Sequence, residues 1–517
     1  MNASRQQEHE YAFESCAASA RQVPSALQKL GWPMRDRGLR SIRDHYFDTS
    51  DLTLYQAGVA LRLREKQANS ELTLKTIAAR ADADGMNRRL EISQDAGRTG
   101  ADGRRIAATV LGRQVACILD GRALREILVL AQKRHVFDLE CPKGGLVQVS
   151  VDYVTAPGAV IKARWLVEAE LIHGPVRRAR GVARHLQQAL RLTAATASKF
   201  ESALQQTRRT LPRPPLDTAP LVAAADPFGI VGERVFRLHL HRLRWFAPGA
   251  RLGVNPEALH RMHTTVRRLR TALLVFGPCL PARAVKALNA DLRWLGGVLS
   301  RARDGDVQTD LLDRESAAWG GGATDAMEIY REWVAQERAK AHRAVRRALV
   351  ARRYARLLER MQRLAESAAT GAAGAAWGAQ DVAQVGPRLI RAAWRKVIRR
   401  GRKAQPQACD DDALHKVRIS CKRLRYLCEF LGAGSGVPSS VRLAARATAL
   451  QNCLGAQQDA AIAGRWMQEF LHDSKRLAAS QRASLIERIR RQAERRRMLR
   501  KQFAHLWRRF DRRKHAP

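Results

Sequence analysis

The sequence predicts two domains of different class, an N-terminal antiparallel β-rich domain with a few helices and a C-terminal all-α domain built from a duplicated unit. Three observations carry that prediction. Before residue 208, short segments alternate apolar and polar residues between turn residues, the period of strands. Residues 208–227, RRTLPRPPLDTAPLVAAADP, concentrate proline, which favours extended chain over packed structure. Beyond them leucine, alanine and arginine recur with helical period, and two segments, ALHRMHTTVRRLR and ALHKVRISCKRLR, repeat one pattern 155 residues apart. The expected boundaries are 1–207, a linker at 208–225, and 226–511 with repeats at about 226–368 and 387–511, divided by a Gly/Ala-rich stretch near 369–386.

In chain order, the expected strands are YFDT (46–49), VALRLRE (59–65), ELTLKT (71–76), RRLEIS (88–93), VQVSVDYV (147–154) and WLVEAEL (165–171). Helices are expected near Pro24–Leu30 and Arg180–Leu190. Residues i and i+2 of a strand share a face. Glu8 with Glu10, Arg62 with Arg64, Thr73 with Lys75, Arg89 with Glu91 and Glu168 with Glu170 therefore point together. Two architectures remain open. In a sandwich these faces would meet water while Leu61, Leu63, Leu72, Leu74, Val167 and Leu171 fill the core. In a closed barrel they would line a lumen, where cations clamp phosphate oxygens and carboxylates hold Mg²⁺ or Mn²⁺, a chemistry suited to metal-chelated polyphosphate.

The ExE pair at 8–10, YFDT, LRLR, TLK, RRLE, the VDY strand, VEAEL and the final SKFESAL (198–204) resemble, in order and spacing, the CYTH family of triphosphate tunnel enzymes over most of residues 5–205. The resemblance implies an antiparallel β-barrel tunnel that binds or hydrolyses triphosphate with a divalent metal. It implies Glu8, Glu10, Glu168 and Glu170 as metal ligands or their supports, with Asp152 beside them. It implies Arg62, Arg64, Lys75, Arg89, Arg134 and Lys199 as phosphate holders, and Glu8, Glu10, Arg62, Arg64 and Lys75 as the catalytic set. The family opens with ExExK, and this chain has Ala12 in place of the lysine. Loss of one electrostatic stabiliser costs on the order of 10²–10³ in rate, so binding is expected to outlast turnover. The implied enzyme is a weakened metal-dependent inorganic triphosphatase; cyclic-nucleotide synthesis and thiamine triphosphate hydrolysis occur in relatives.

In the C-terminal repeat, Leu259, Met262, Val266, Leu269 and Leu273 step by 3, 4, 3 and 4, as do Leu414, Val417, Cys421, Leu424 and Cys428, each drawing one apolar stripe along a helix. One residue on, and so about 100° around the helix, run His260, His263, Arg267 and Arg270 in one copy and His415, Arg418, Lys422 and Arg425 in the other. Each helix should bury a seam beside a cationic stripe. His260 precedes Asp304 by 44 residues and His415 precedes Asp459 by 44, each aspartate falling in a short LG-containing region read as a turn, where capping or arginine-bracing is the expected role. Trp294, Trp394 and Trp466 are expected in the core. The histidines suit hydrogen-bond donation to phosphate better than metal ligation, because arginines crowd them and the second copy keeps only one.

The HxxH/R…RRLR pattern with RARDGDV (301–307) or AQQDAAI (456–462) resembles the CHAD domain, a conserved-histidine α-helical domain, over residues 226–511. The resemblance implies two pseudo-symmetric four-helix bundles with a basic surface that binds inorganic polyphosphate through His260, His263, Arg267, Arg268, Arg270, His415, Lys416, Arg418, Lys422, Arg423 and Arg425. His263 stands where Arg418 keeps the usual arginine, which lowers the charge of the first copy unless bound phosphate raises the imidazole.

Composition narrows the partners. The chain has 517 residues and a formal charge of +43, a field that attracts polyanions. Residues 1–210 hold 33 basic and 22 acidic residues, leaving 59 and 27 for the rest, so the excess sits in the helical part. Inorganic polyphosphate and triphosphate are the expected partners. A nucleic-acid binder with an inactive tunnel domain is the alternative, disfavoured by 6% aromatic content and no recognisable nucleic-acid motif. No apolar run is long enough to span a membrane and the start lacks a signal-peptide core. Eight scattered cysteines without CxxC read as buried free thiols. The expected location is the cytoplasm, which could include polyphosphate granules.

Overall fold

The structure, a computed structural model, describes residues 4–511 apart from 67–68, 78–84, 98–99, 143, 158–161, 208–209, 216–221, 319–324, 370–374, 405–410 and 475–476. Cys409, part of the linker and part of the Gly/Ala-rich stretch thus lie outside the described residues. The chain forms two compact units. One is Met1–Pro214 with Phe246–Leu259 and Asp313–Gly322; the other is Pro215–Trp245 with His260–Leu312 and Ala323–Pro517.

The first unit contains strands β1 (Ser4–Ser15), β2 (Met34–Asp48), β3 (Val59–Glu65), β4 (Ser70–Thr76), β5 (Asn87–Gly97), β6 (Arg125–Glu140), β7 (Leu146–Thr155), β8 (Arg164–His173) and the short β9 (Thr193–Ala194). Helices α1 (Ala17–Gln28), α2 (Thr53–Gln56), α3 (Gly103–Ala108), α4 (Val110–Leu119), α5 (Arg177–Leu190) and α6 (Lys199–Thr207) punctuate them. The order β5-β4-β3-β2-β6-β7-β8-β1, closed by pairing of β1 with β5, makes an antiparallel barrel of eight strands with β9 appended to β1. This resolves the sandwich-or-barrel choice. The apolar face lies outside: Leu61, Leu63, Leu72 and Leu74 pack under Ile106, Leu111 and Val115 of α3 and α4. On the other side Val147, Val149 and Val151 pack under Val23, Leu27, Val182 and Leu186 of α1 and α5. Burying a Leu or Val side chain stabilises by about 1.5–3 kcal/mol. The polar face of each strand is thereby turned inward.

Two helices were expected here, and the structure adds four. Those at 103–119 start at Asp102 and Thr109, whose side chains accept from the amides of Arg104 and Gly112 at 3.0 Å each. Strand β6 also went unread, because Lys133, Arg134 and His135 interrupt its alternation.

The second unit is helical. It is built on α7 (Phe228–Leu252), α8 (Pro256–Phe276), α9 (Ala282–Ala318), α10 (Asp325–Val350), α11 (Arg352–Ala369), α12 (Ala375–Gly378), α13 (Val382–Lys403), α14 (Asp411–Leu431), α15 (Ser440–Asp473) and α16 (Ala479–Phe510), of which α7–α9 run through segments of both units. Helices α8 and α14 stand 155 residues apart at both ends. Their expected seams are buried: Leu259, Met262, Val266, Leu269 and Leu273, and Leu414, Val417, Cys421, Leu424 and Cys428, are all under 5% exposed.

The turn reading of Asp304 and Asp459 is corrected. Both lie inside long helices, α9 and α15, and not in turns. The neighbouring glycines serve packing: a Cβ at Gly296 would meet Val266 at 3.4 Å, and one at Gly305 would meet Arg338 at 3.2 Å. Of the described cysteines, Cys16 is exposed and Cys117 half-buried, contrary to the uniform burial expected; Cys141, Cys279, Cys421, Cys428 and Cys453 are buried. No helix among the described residues is long and apolar enough to cross a membrane.

Candidate functional site

The barrel register sets which side chains share the lumen. Directly opposed residues include Glu8 and Arg89, Glu10 and Glu170, Ala12 and Glu168, Arg64 and Asp44, Lys75 and Glu91, and Arg134 and Asp152. The structure therefore brings Glu8, Glu10, Arg62, Arg64, Lys75, Arg89, Arg134, Asp152, Glu168, Glu170 and Lys199 onto one inner surface.

They form alternating ion pairs. Arg134 donates to Asp152 at 2.7 and 3.0 Å and to Glu168 at 3.1 Å. Lys199 donates to both carboxylates at 2.7 Å. Lys75 Nζ lies 2.5 Å from Glu8 and 2.8 Å from Glu91, and Arg89 lies 2.6 Å from Glu10. Arg64 binds Asp44 through two hydrogen bonds of 2.7 and 2.8 Å, and Gln132 donates to the same carboxylate at 2.7 Å. Against the penalty of burial, Arg62 and Arg64 hold Asp44 well below the usual carboxylate range. Lys199 and Arg134 do the same for Glu168. Glu91 lies in this lumen beside Lys75, on the face it was expected to share with Arg89; Asp44 also belongs to it and is not among the expected residues, though it stands two before Tyr46 on the same strand face.

Two carboxyls behave differently. Burial raises Glu10 to about 7, with Glu8 and Glu168 adding repulsion, even though Lys75 and Arg89 oppose the shift. Burial followed by the charge of Glu8 raises Glu170 to about 8, and the Glu170 side chain makes no hydrogen bond or ion pair to a described residue. Carboxyls held protonated by crowding suit a divalent cation, which would relieve both burial and repulsion. Glu10 and Glu170 thus fit a metal by charge, with Glu8, which Lys75 pairs, next to Glu10 on the same strand face. Asp152 and Glu168 are already neutralised by Arg134 and Lys199. Among the described residues no three such side chains converge as a preformed metal site.

The helical unit presents a second site. A cavity of about 1080 Å³ is lined by the stripes of α8 and α14 together with α9, α10 and α15. It takes His260, His263, Arg267 and Arg270 from α8 and His415, Arg418, Lys422 and Arg423 from α14. The remaining expected residues lie outside its lining. Arg268 and Arg425 share Glu429, at 2.9 and 3.2 Å, and flank the ring of Tyr426; Lys416 pairs with Asp412.

Crowding changes the charge of this cavity. Burial, then Arg267 and Arg418, lowers Lys422 to about 6. Burial, then Arg267 and Lys422, lowers His263 to about 3. Burial and then Asp459 raise Asp304 to about 6. The Nε atoms of Arg267, Arg270 and Arg418 are buried with no hydrogen-bond partner among the described residues. Donors left unpaired beside like charges cost free energy, and an anion with several oxygens would satisfy them. Asp304 and Asp459 also line the cavity, so bracing of the arginines is the role their position allows. Trp466, expected in the core, is half-buried and lines the cavity beside Trp333.

Comparison with known proteins matches the CYTH domain to residues 20–161 and the CHAD domain to residues 234–468. An uncharacterized protein of Mycobacterium tuberculosis strain H37Rv is 29% identical over 221 residues, 40% of this chain and 39% of the relative. The chain spans about two-fifths of the length of the curated relatives it matches. Among solved structures, the CHAD domain from the plant Ricinus communis is similar at 25% identity over 57% of this chain and 96% of that chain, with a TM-score of 0.48. A Hippeastrum protein described as having a dominant triphosphatase activity is similar at 15% identity over 38% of this chain and 93% of that chain, with a TM-score of 0.29.

Proposed function

We propose that this chain, a CYTH domain followed by a CHAD domain, binds inorganic polyphosphate in the cavity of its helical unit and holds a triphosphate in its barrel lumen. One observation carries the reading. Residues of the cationic stripes of α8 and α14, 155 residues apart in sequence, line a single cavity in which the Nε atoms of Arg267, Arg270 and Arg418 are buried with no partner among the described residues. A chain of phosphates offers closely spaced acceptors and two-pronged geometry for guanidinium groups. A cytoplasmic protein, including one at polyphosphate granules, is the setting such a ligand implies.

In the barrel, Arg62, Arg64, Lys75, Arg89, Arg134 and Lys199 would exchange carboxylate partners for phosphate oxygens. Glu8, Glu10 and Glu170 would hold Mg²⁺ or Mn²⁺, with Asp152 and Glu168 orienting the cations around them. The metal would neutralise non-bridging phosphate oxygens. Turnover of triphosphate is the weaker half of the reading, because the register puts Ala12, where the family lysine would stand, opposite Glu168.

Two experiments test the halves. Arg267, Arg270, Arg418 and Lys422 changed together to alanine should lower affinity of the full chain for long-chain polyphosphate by at least about 10²-fold at low salt. Unchanged affinity, or displacement of polyphosphate by duplex DNA at equal phosphate concentration, would sink the reading. Ala12→Lys should raise phosphate release from tripolyphosphate on the order of 10²-fold, and a release rate no greater than that of the parent would show that the missing lysine is not what limits turnover.

A further inference from the structure

We infer that the cavity of the helical unit has a nucleoside subsite at its mouth, so that it accepts a purine nucleoside polyphosphate as well as the unsubstituted chain of phosphates. The inference rests on the polyphosphate reading for the phosphate-binding part and adds to it.

The lining is not uniformly cationic. Trp333 on α10 and Trp466 on α15 line the cavity together, their rings 5.8 Å apart and edge to face. Both are half-buried, packed against the core around Tyr330 and Phe470 and reaching the cavity. Glu337 and Glu469 line the same region, and a second space of about 540 Å³ shares both of them, Trp333, Arg301 and Arg465 with the first and is lined also by Asp473. Glu469 has no hydrogen bond or ion pair to a described residue.

Carboxylates repel a phosphate chain, and indoles give it nothing. The two together suit a purine: an aromatic face for stacking, worth severalfold in affinity, and carboxylate oxygens to accept from ring and exocyclic N–H groups. Arg301 and Arg465 line both spaces and supply cations for the first phosphate of such a ligand. The pseudo-symmetry supports a dedicated use. The position on α9 that corresponds to Trp466 at the 155-residue offset is Leu311, so the aromatic mouth belongs to one copy and not to the repeat as such.

Photolabelling of the full chain with 8-azidoadenosine triphosphate tests this, because it reports the place of the base even if the barrel also binds triphosphate. Label is expected in peptides carrying Trp333 or Trp466, protected by ATP and by long-chain polyphosphate. Trp466→Leu should reduce that label at least about fivefold while Trp466→Phe, which keeps a stacking face, retains it. Label confined to residues 1–214, or undiminished in a Trp333→Leu, Trp466→Leu double variant, overturns the subsite. If long-chain polyphosphate still binds and only the mouth label is missing, the subsite alone fails; if polyphosphate does not bind either, the reading beneath it fails as well.

Discussion

Glu10 and Glu170 face one another across the β1–β8 ladder, and burial keeps the first protonated to about 7 and the second to about 8, where a free glutamate has a pKa of 4.5. The folded chain therefore binds more protons than the unfolded chain between these limits. With that sign, the stability these groups allow is present at low pH and falls as pH rises from 4.5 through about 8. A divalent cation at these carboxyls would replace the protons. The rise in melting temperature caused by Mn²⁺ should thus be larger near pH 8.5 than near pH 6, and removal by a chelator should reverse it. Glu10→Gln with Glu170→Gln should abolish the metal effect and flatten the pH dependence of the apo protein. Equal shifts at both pH values would remove these two residues from the metal site. That Glu10 shares a strand face with Glu8, and Glu170 with Glu168, was legible from their period of two. The protonation of Glu10 and Glu170 was not, because it depends on burial inside the closed barrel and, for Glu170, on Glu8, Glu10 and Glu91 arriving from other strands, which sequence spacing does not reveal.

At the scale of elements, sequence periodicity matches the structure best where one helix face is apolar throughout, and worst where glycine suggests a turn inside a helix. Helices α8 and α14 lie where the repeat puts them. Helices α9 and α15 run straight through Gly296, Gly297 and Gly455, because those residues let helices approach or cost the helix only about 1 kcal/mol each. Gly401 in α13 shows the stronger case. A Cβ there would lie 1.9 Å from the indole of Trp507 on α16, a rigid neighbour that is itself buried. Gly401→Ala gains about 1 kcal/mol of helix propensity but overpacks at a cost of about 1–3 kcal/mol. A net loss of up to about 2 kcal/mol is expected in urea unfolding. Gly464→Ala in α15 meets nothing within 4 Å and should instead gain a fraction of the propensity difference. A stabilised Gly401→Ala would mean that α13 and α16 do not pack as closely as the structure has them.

The net charge of +43 belongs to the whole molecule, and sequence arithmetic assigns every lysine and arginine a full charge. Burial overrides that arithmetic in the helical cavity. Lys422 at about 6 is mostly neutral at pH 7, His263 at about 3 is neutral throughout the physiological range, and Asp304 at about 6 is on the edge of protonation. The resting cavity is less positive than its sequence suggests, which limits repulsion among Arg267, Arg418 and Lys422 while it is unfilled. A bound polyanion raises the pKa of each of these groups, since an opposite charge favours the protonated cation and disfavours the ionised carboxylate. Binding at neutral pH should therefore take up protons, and affinity should decline as pH rises above about 6. Calorimetry in buffers of different ionisation enthalpy should give observed heats that diverge with the sign of proton uptake, by about one proton near pH 7.5 if Lys422 dominates. Lys422→Arg removes most of that uptake while preserving affinity, because guanidinium stays charged where the amine does not. Heats that agree across buffers, or uptake that survives Lys422→Arg undiminished, would place the ligand away from Lys422. The steepness of binding with salt would still follow the long-range field, so proton linkage separates occupancy of this cavity from adsorption to the basic surface at large.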